Sequence, residues 1–71
     1  MAMSTSDYDR LERAIIDGAR LAIVRRKNEL VVIPKRLRVR NGRELIDAVH
    51  PTTGEPVSIG VDEIEHFDVI R

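Results

Sequence analysis

Apolar residues recur at helical spacing near the start of the chain and at every second position through most of the remainder. Tyr8, Leu11, Ala14, Ile15 and Ala19 form one stripe at the three-and-four spacing of a helix. Ser6-Asp7-Tyr8-Asp9 has the capping-box pattern ahead of that stripe, and Gly18 stands where a left-handed C-terminal cap is wanted, so the pattern predicts a helix over residues 7 to 17. From Arg20 the period becomes two, with Leu21 and Ile23 on one face, until the polar run "RRKNE" predicts a turn. The β-branched run "LVVI" then stops at Pro34, which cannot donate to a ladder and marks a strand end or an edge.

Leu37 and Val39 next alternate with Arg36, Arg38 and Arg40, and Asn41-Gly42 is the strongest short signal for a two-residue hairpin. Counting outward from that turn pairs Arg40 with Arg43, Val39 with Glu44, Arg38 with Leu45, Leu37 with Ile46 and Arg36 with Asp47. One face of the hairpin is then apolar, with Glu44 at its rim, and the other carries the arginines and Asp47. "HPTTGEP" predicts a second turn, Val57, Ile59 and Val61 a further strand, and "DEIEHFDVI" a last one that buries Ile64, Phe67 and Val69. One helix followed by about five strands predicts a mainly β, α+β domain: an N-terminal helix over one end of a five-stranded, strongly bent antiparallel barrel. Its expected core is Leu11, Ile15, Leu21, Ile23, Val32, Leu37, Val39, Ile46, Ala48, Ile59, Val61 and Ile64.

The 71 residues amount to one domain, at a size where a chain hides only about 60% of its unfolded surface, which argues against a large active-site cleft. The domain is expected over residues 6 to 71, with 1 to 5 as a frayed, disordered terminus. With one Tyr, one Phe and no Trp, the core must be aliphatic. The absence of cysteine removes disulfides and thiol chemistry and fits a reducing compartment, so the cytoplasm is the expected location. No apolar run approaches the roughly 18 to 20 residues that cross a bilayer.

Formal net charge is zero, yet it conceals a polarity: residues 20 to 43 hold nine bases and one acid, and 44 to 71 hold seven acids and one base. The basic segment offers a candidate surface for nucleic acid or an acidic partner, made of Arg36, Arg38, Arg40 and Arg43 with Arg25, Arg26 and Lys35. Arginine suits bidentate contact with phosphate or carboxylate. Two features oppose a nucleic-acid role: no aromatic interleaves the stripe to stack bases, and Asp47 stands opposite Arg36. If the basic middle and the acidic end are neighbours, the stripe is internally neutralised; if they lie apart, the surface is dipolar. His50 and His66 lack ligand-like spacing, no serine has a nucleophile-elbow setting, and the glycines form no phosphate-cradling loop. A non-enzyme without metal or cofactor is the expectation.

"DYDRLERA" at 7 to 14, Leu21 and Ile23, and "GEPVSIGVDEIEHF" at 54 to 67 resemble the Rho-binding antiterminator (Rof) family, a small Sm/SH3-like barrel, over roughly residues 7 to 67. The resemblance implies a bacterial regulator of transcription that contacts the termination factor Rho through acidic surface, with Asp7, Asp9 and Glu12 as the acids of the opening helix. The basic middle strands depart from that family. Pro34, Leu37, Gly42, Ala48, Asp62 and Ile64 are also similar in spacing to the skeleton of the WYL domain, a regulatory module that implies a nucleic-acid or nucleotide-like ligand. Here its signature triplet falls on Glu44-Leu45-Ile46 and its strand tyrosine on Arg25, so the skeleton is kept without the ligand-binding residues. A third expectation is a homo-oligomer joined through free strand edges.

Overall fold

The computed structural model describes residues 3–71 and contains, in order, helix α1 (Thr5–Asp17), strands β1 (Arg20–Arg25), β2 (Asn28–Arg40), β3 (Arg43–Val49) and β4 (Pro56–Gly60), a 3-10 turn (Val61–Glu63) and β5 (Ile64–Ile70). The expected helix and five-stranded antiparallel sheet are present, in the strand order β4-β3-β2-β1-β5. No ladder joins β4 to β5 among the described residues, so the sheet is bent and open rather than closed by hydrogen bonds into a barrel.

The helix begins two residues earlier than expected. Ser4, not Ser6, is the cap: its hydroxyl accepts from the Asp7 N–H at 3.2 Å, and the Asp7 carboxylate accepts from the Ser4 N–H at 3.0 Å. Both serines precede an acid by three residues, and tertiary packing decides between them. The earlier cap lets Met3 rest against the core, in the staple position opposite Tyr8. Residues 3 to 5 are therefore part of the domain, while the rest of the expected frayed terminus, residues 1 and 2, lies outside the described residues. Gly18 ends the helix with φ +67°, its N–H reaching Ala14 and Ile15 carbonyls.

Both hairpin turns have two residues with positive φ, the geometry that matches strand twist. At Asn41-Gly42 the angles are 53° and 76°, and the register is the one counted from the sequence. At Arg26-Lys27 they are 50° and 63° without any glycine, so β1 and β2 meet in a tighter turn than "RRKNE" suggested.

Pro34 does not end a strand. It sits buried within β2, just past the last β1 pair, Leu21 with Val32, so its missing N–H removes no ladder bond with β1. β2 is a 13-residue spine that pairs with β1 through its first half and with β3 through its second. Between the halves, Pro34 faces Ala48 and Arg36 faces Asp47, leaving Lys35 as an unpaired bulge residue. Side chains alternate faces along a strand, so Leu30, Val32 and Pro34 point inward on even numbers. The extra residue reverses that parity and turns Leu37 inward and Arg36, Arg38 and Arg40 outward.

The core joins Leu11 and Ala14 of α1 to Leu21, Ile23, Val32, Ile46, Ile59 and Ile64 of the sheet, with Phe67 completing it. Ile15 and Leu37 are half-buried against this cluster. Val39 is a correction: it is 66% exposed, because it faces the core side only at the far end of the hairpin, next to the Asn41-Gly42 turn. Deleting Lys35 should unfold the protein, since pairing could be kept only by turning three guanidiniums inward, whereas Lys35→Gly should stay folded. Circular dichroism melts of the two variants check this contrast.

Candidate functional site

The arginine stripe lies on the outer face of the β2-β3-β4 half-sheet, and Asp47 at its centre gathers it. Arg36, directly opposite, donates from Nε to Asp47 Oδ2 at 2.8 Å, and Arg38, one diagonal away, donates to the same oxygen at 2.7 Å. Ser58 on β4 faces Asp47 from the other side and donates to Oδ1 at 3.0 Å. With three donors around it, the carboxyl is held down to about 2, the two guanidiniums contributing most. Its side chain is only 21% exposed, whereas that of Arg36 is 70% exposed and still open to a second partner.

Arg43 belongs to a different group. It donates to Asp62 Oδ1 at 2.9 Å and lies 3.9 Å from Glu63, while Arg25 reaches Glu63 from the opposite side at 3.3 Å. The Arg43 hydrogen bond holds the Asp62 carboxyl below its ordinary value. Glu65 meanwhile accepts from the Lys27 backbone N–H at 2.8 Å and braces the β1-β2 turn.

The seven basic residues expected to form one surface thus divide. Arg25, Arg36, Arg38 and Arg43 each have a carboxylate partner, and Arg26, Lys35 and Arg40 have none among the described residues. Those three do not adjoin: Arg26 is at the turn that opens β2, Lys35 at its bulge and Arg40 at its far end. Arg25 and Arg26 line a shallow cleft of about 320 Å³ with Asn28, Leu30 and Glu63. The basic middle and acidic end are neighbours, and much of the charge polarity is spent between adjoining strands.

The helix acids divide too. Asp7 is engaged in the cap and pairs with Arg10 at 3.4 Å, and the Ser4 backbone bond holds its carboxyl below the ordinary value. Asp9 and Glu12 stand exposed on the outer face of α1, where they line an open depression of about 450 Å³ with Arg13, Ile16 and Asp17. Ile16 is 81% exposed there. It was legible only as the helix's one large apolar residue off the buried stripe. Tyr8, on another side of the helix, donates to Glu44 Oε1 at 2.5 Å, which ties α1 to β3 and makes the phenol harder to ionise.

Arg10 was not singled out from the sequence. Its guanidinium lies 4.8 Å from the centre of the Phe67 ring and donates to the Phe67 carbonyl at 3.3 Å. Among the described residues, no three metal-ligating side chains cluster, and no helix is long and apolar enough to cross a membrane.

No protein-family model, curated protein or solved structure matches this chain.

The stability tied to Asp47 has a defined pH window. An unfolded aspartate titrates near 3.9, above its folded value of about 2, so the contribution is complete above about pH 4 and is lost as pH falls through 2. Asp47→Asn should lower stability at neutral pH and flatten the fall in stability on acidification. Urea unfolding of both proteins between about pH 5 and 2 measures the two effects.

Proposed function

We propose that this protein is a small non-catalytic regulator that acts by protein contact, with the outer face of α1 as its docking element. The observation that carries this reading is Ile16, 81% exposed, with Asp9 and Glu12 beside it. An apolar side chain flanked by carboxylates that have no ion-pair partner among the described residues suits a partner surface that offers an apolar seat ringed by lysine or arginine. The pairing of the arginine stripe supports the same reading, because guanidiniums held by Asp47 and Asp62 would have to release those carboxylates before gripping phosphate. Under the Rof resemblance the partner is a transcription-termination factor of the Rho type, and Asp9 and Glu12 are the acids that contact it. Asp7, committed to the cap, serves the helix instead.

A second reading keeps one observation of its own. Lys35 and Arg40 have no carboxylate partner among the described residues, and Arg36 remains largely exposed, so the outer face of β2 retains cations for a nucleic-acid backbone or a nucleotide-like ligand. Binding through these groups would weaken steeply with salt, as counterion release requires.

Titration of a fluorescently labelled copy with purified Rho, and separately with single-stranded RNA, tests both readings. The protein-contact reading expects saturable binding to Rho that Ile16→Ser with Glu12→Lys reduces at least about tenfold, the scale of one buried interface anchor. Binding to RNA alone, abolished by Arg36→Glu with Arg40→Glu and by raised salt, would replace the first reading with the second.

A further inference from the structure

The outer face of the sheet changes character at the Lys35 bulge. Beyond the bulge lie the arginines gathered by Asp47, and before it the outward side chains of β2 are Glu29, Val31 and Ile33. Val31 stands opposite Ala22 of β1, Ile33 opposite Val49 of β3, and Glu29 opposite Val24. On the far side of β1, Val24 faces His66, Ala22 faces Asp68 and Arg20 faces Ile70. Ala22, Val24, Val31, Ile33 and Val49 are half-buried, and Ile70 is 43% exposed. None of the six packs against the core, which lies on the other side of the sheet beneath α1. The side turned away from α1 thus carries an aliphatic surface where a solvated sheet face carries polar residues.

The rim of this surface has a direction. Arg20 and Lys35 stand at the end nearest the bulge, and neither has a carboxylate partner among the described residues. Within the bulge Lys35 and Arg36 together oppose Asp47, which places Lys35 on the outer face. Glu29 and Asp68 stand towards the Arg26-Lys27 turn. Glu29 has no cationic partner among the described residues, and Asp68, its side chain 77% exposed, has Arg10 at 3.8 Å. Past that end, Arg26 lines the cleft with Leu30 and Glu63 on the inner side of the sheet, and Glu65 lies against the Lys27 backbone.

We propose that this face packs, sheet on sheet, against the same face of a second copy, about a two-fold axis that crosses the strands at the level of Val32. That axis reverses one copy end for end, so Val31 lies over Ile33 of the other copy and Lys35 over its Glu29. Arg20 comes over Ala22 of the other copy, one strand away from its Asp68. A two-fold axis along the strands, between β1 and β2, would instead lay Ile33 over Arg20, which is level with it on the next strand.

The rim is what selects the occupant. A surface basic at one end and acidic at the other is its own complement when reversed, and the two-fold axis performs that reversal. A partner of one charge would leave one end unmatched, and an anionic lipid surface would meet Glu29 and Asp68. Four strands about 4.8 Å apart and five residues of about 3.3 Å make a patch of roughly 19 by 16 Å, small for an obligate dimer. The pair is therefore a reversible one, populated at high micromolar to millimolar concentration. The face lies across the sheet from α1, so this inference stands or falls apart from the docking reading.

Sedimentation velocity from low micromolar to millimolar concentration tests it. The wild type should pass from monomer to dimer, and Ile33→Glu should weaken the association at least about tenfold. Glu29→Lys should also weaken it, and Lys35→Glu added to Glu29→Lys should restore it, because each end then meets its complement again. Both exchanged positions are exposed, so this pair remains informative even if Ile33→Glu misfolds. A wild type that stays monomeric at millimolar concentration overturns the proposal. A dimer that a folded Ile33→Glu variant forms equally well, or a double exchange that does not recover the loss from Glu29→Lys, overturns it too.

Discussion

One extra residue in one strand sets the rest of the structure. β2 serves two partners, and its side chains must face the same core along both halves. The residues before Pro34 do so on even numbers and those after it on odd ones, and only the unpaired Lys35 reconciles them. Without it, a continuous pleat would bring Arg36, Arg38 and Arg40 against the buried Ile46 and Ala48. The desolvation of guanidiniums there would exceed anything a 71-residue core could offset. The bulge also lies where the spine passes from β1 to β3, which is where a bend is needed for one helix to cover the sheet.

With the arginines outside, the charge pattern becomes a matter of neighbours. Asp47 lies between β2 and β4 and takes donors from both, and the acids after β4 fall against Arg43 and Arg25. Exposed pairs of this kind contribute little stability each. Their effect is to remove charge from some positions and leave it at others, so that, among the described residues, carboxylates without a partner lie on α1 and cations without one are spread along β2.

Signals confined to a few residues were legible in the sequence. Asn41-Gly42 dictated the β2-β3 register pair by pair, because turn geometry leaves no freedom there. The helix, its Gly18 cap and most of the core followed from periodicity. Features that needed a third element were not: Ser4 and Ser6 offer equivalent caps until Met3 packs, and Val39 alternates correctly while lying beyond the reach of the core. The bulge itself was written in the shift of apolar residues from even to odd positions across Pro34, a signal hidden by treating proline as a strand end. At the candidate site, the arginine face and the opposition of Arg36 to Asp47 were legible in advance. The partners of Arg43 and Arg25 and the exposure of Ile16 depended on how β5 and α1 close over the sheet.

The Arg10 contact with the Phe67 carbonyl bears on how many molecules can join. A sheet with two usable borders is the repeat unit of a fibre, since each added molecule presents a fresh border to the next. One long side chain from a neighbouring helix, seated on a strand carbonyl and held by the ring beneath it, occupies one acceptor of the β5 border. That contact narrows, by one acceptor, the main chain that β5 leaves open to an added strand.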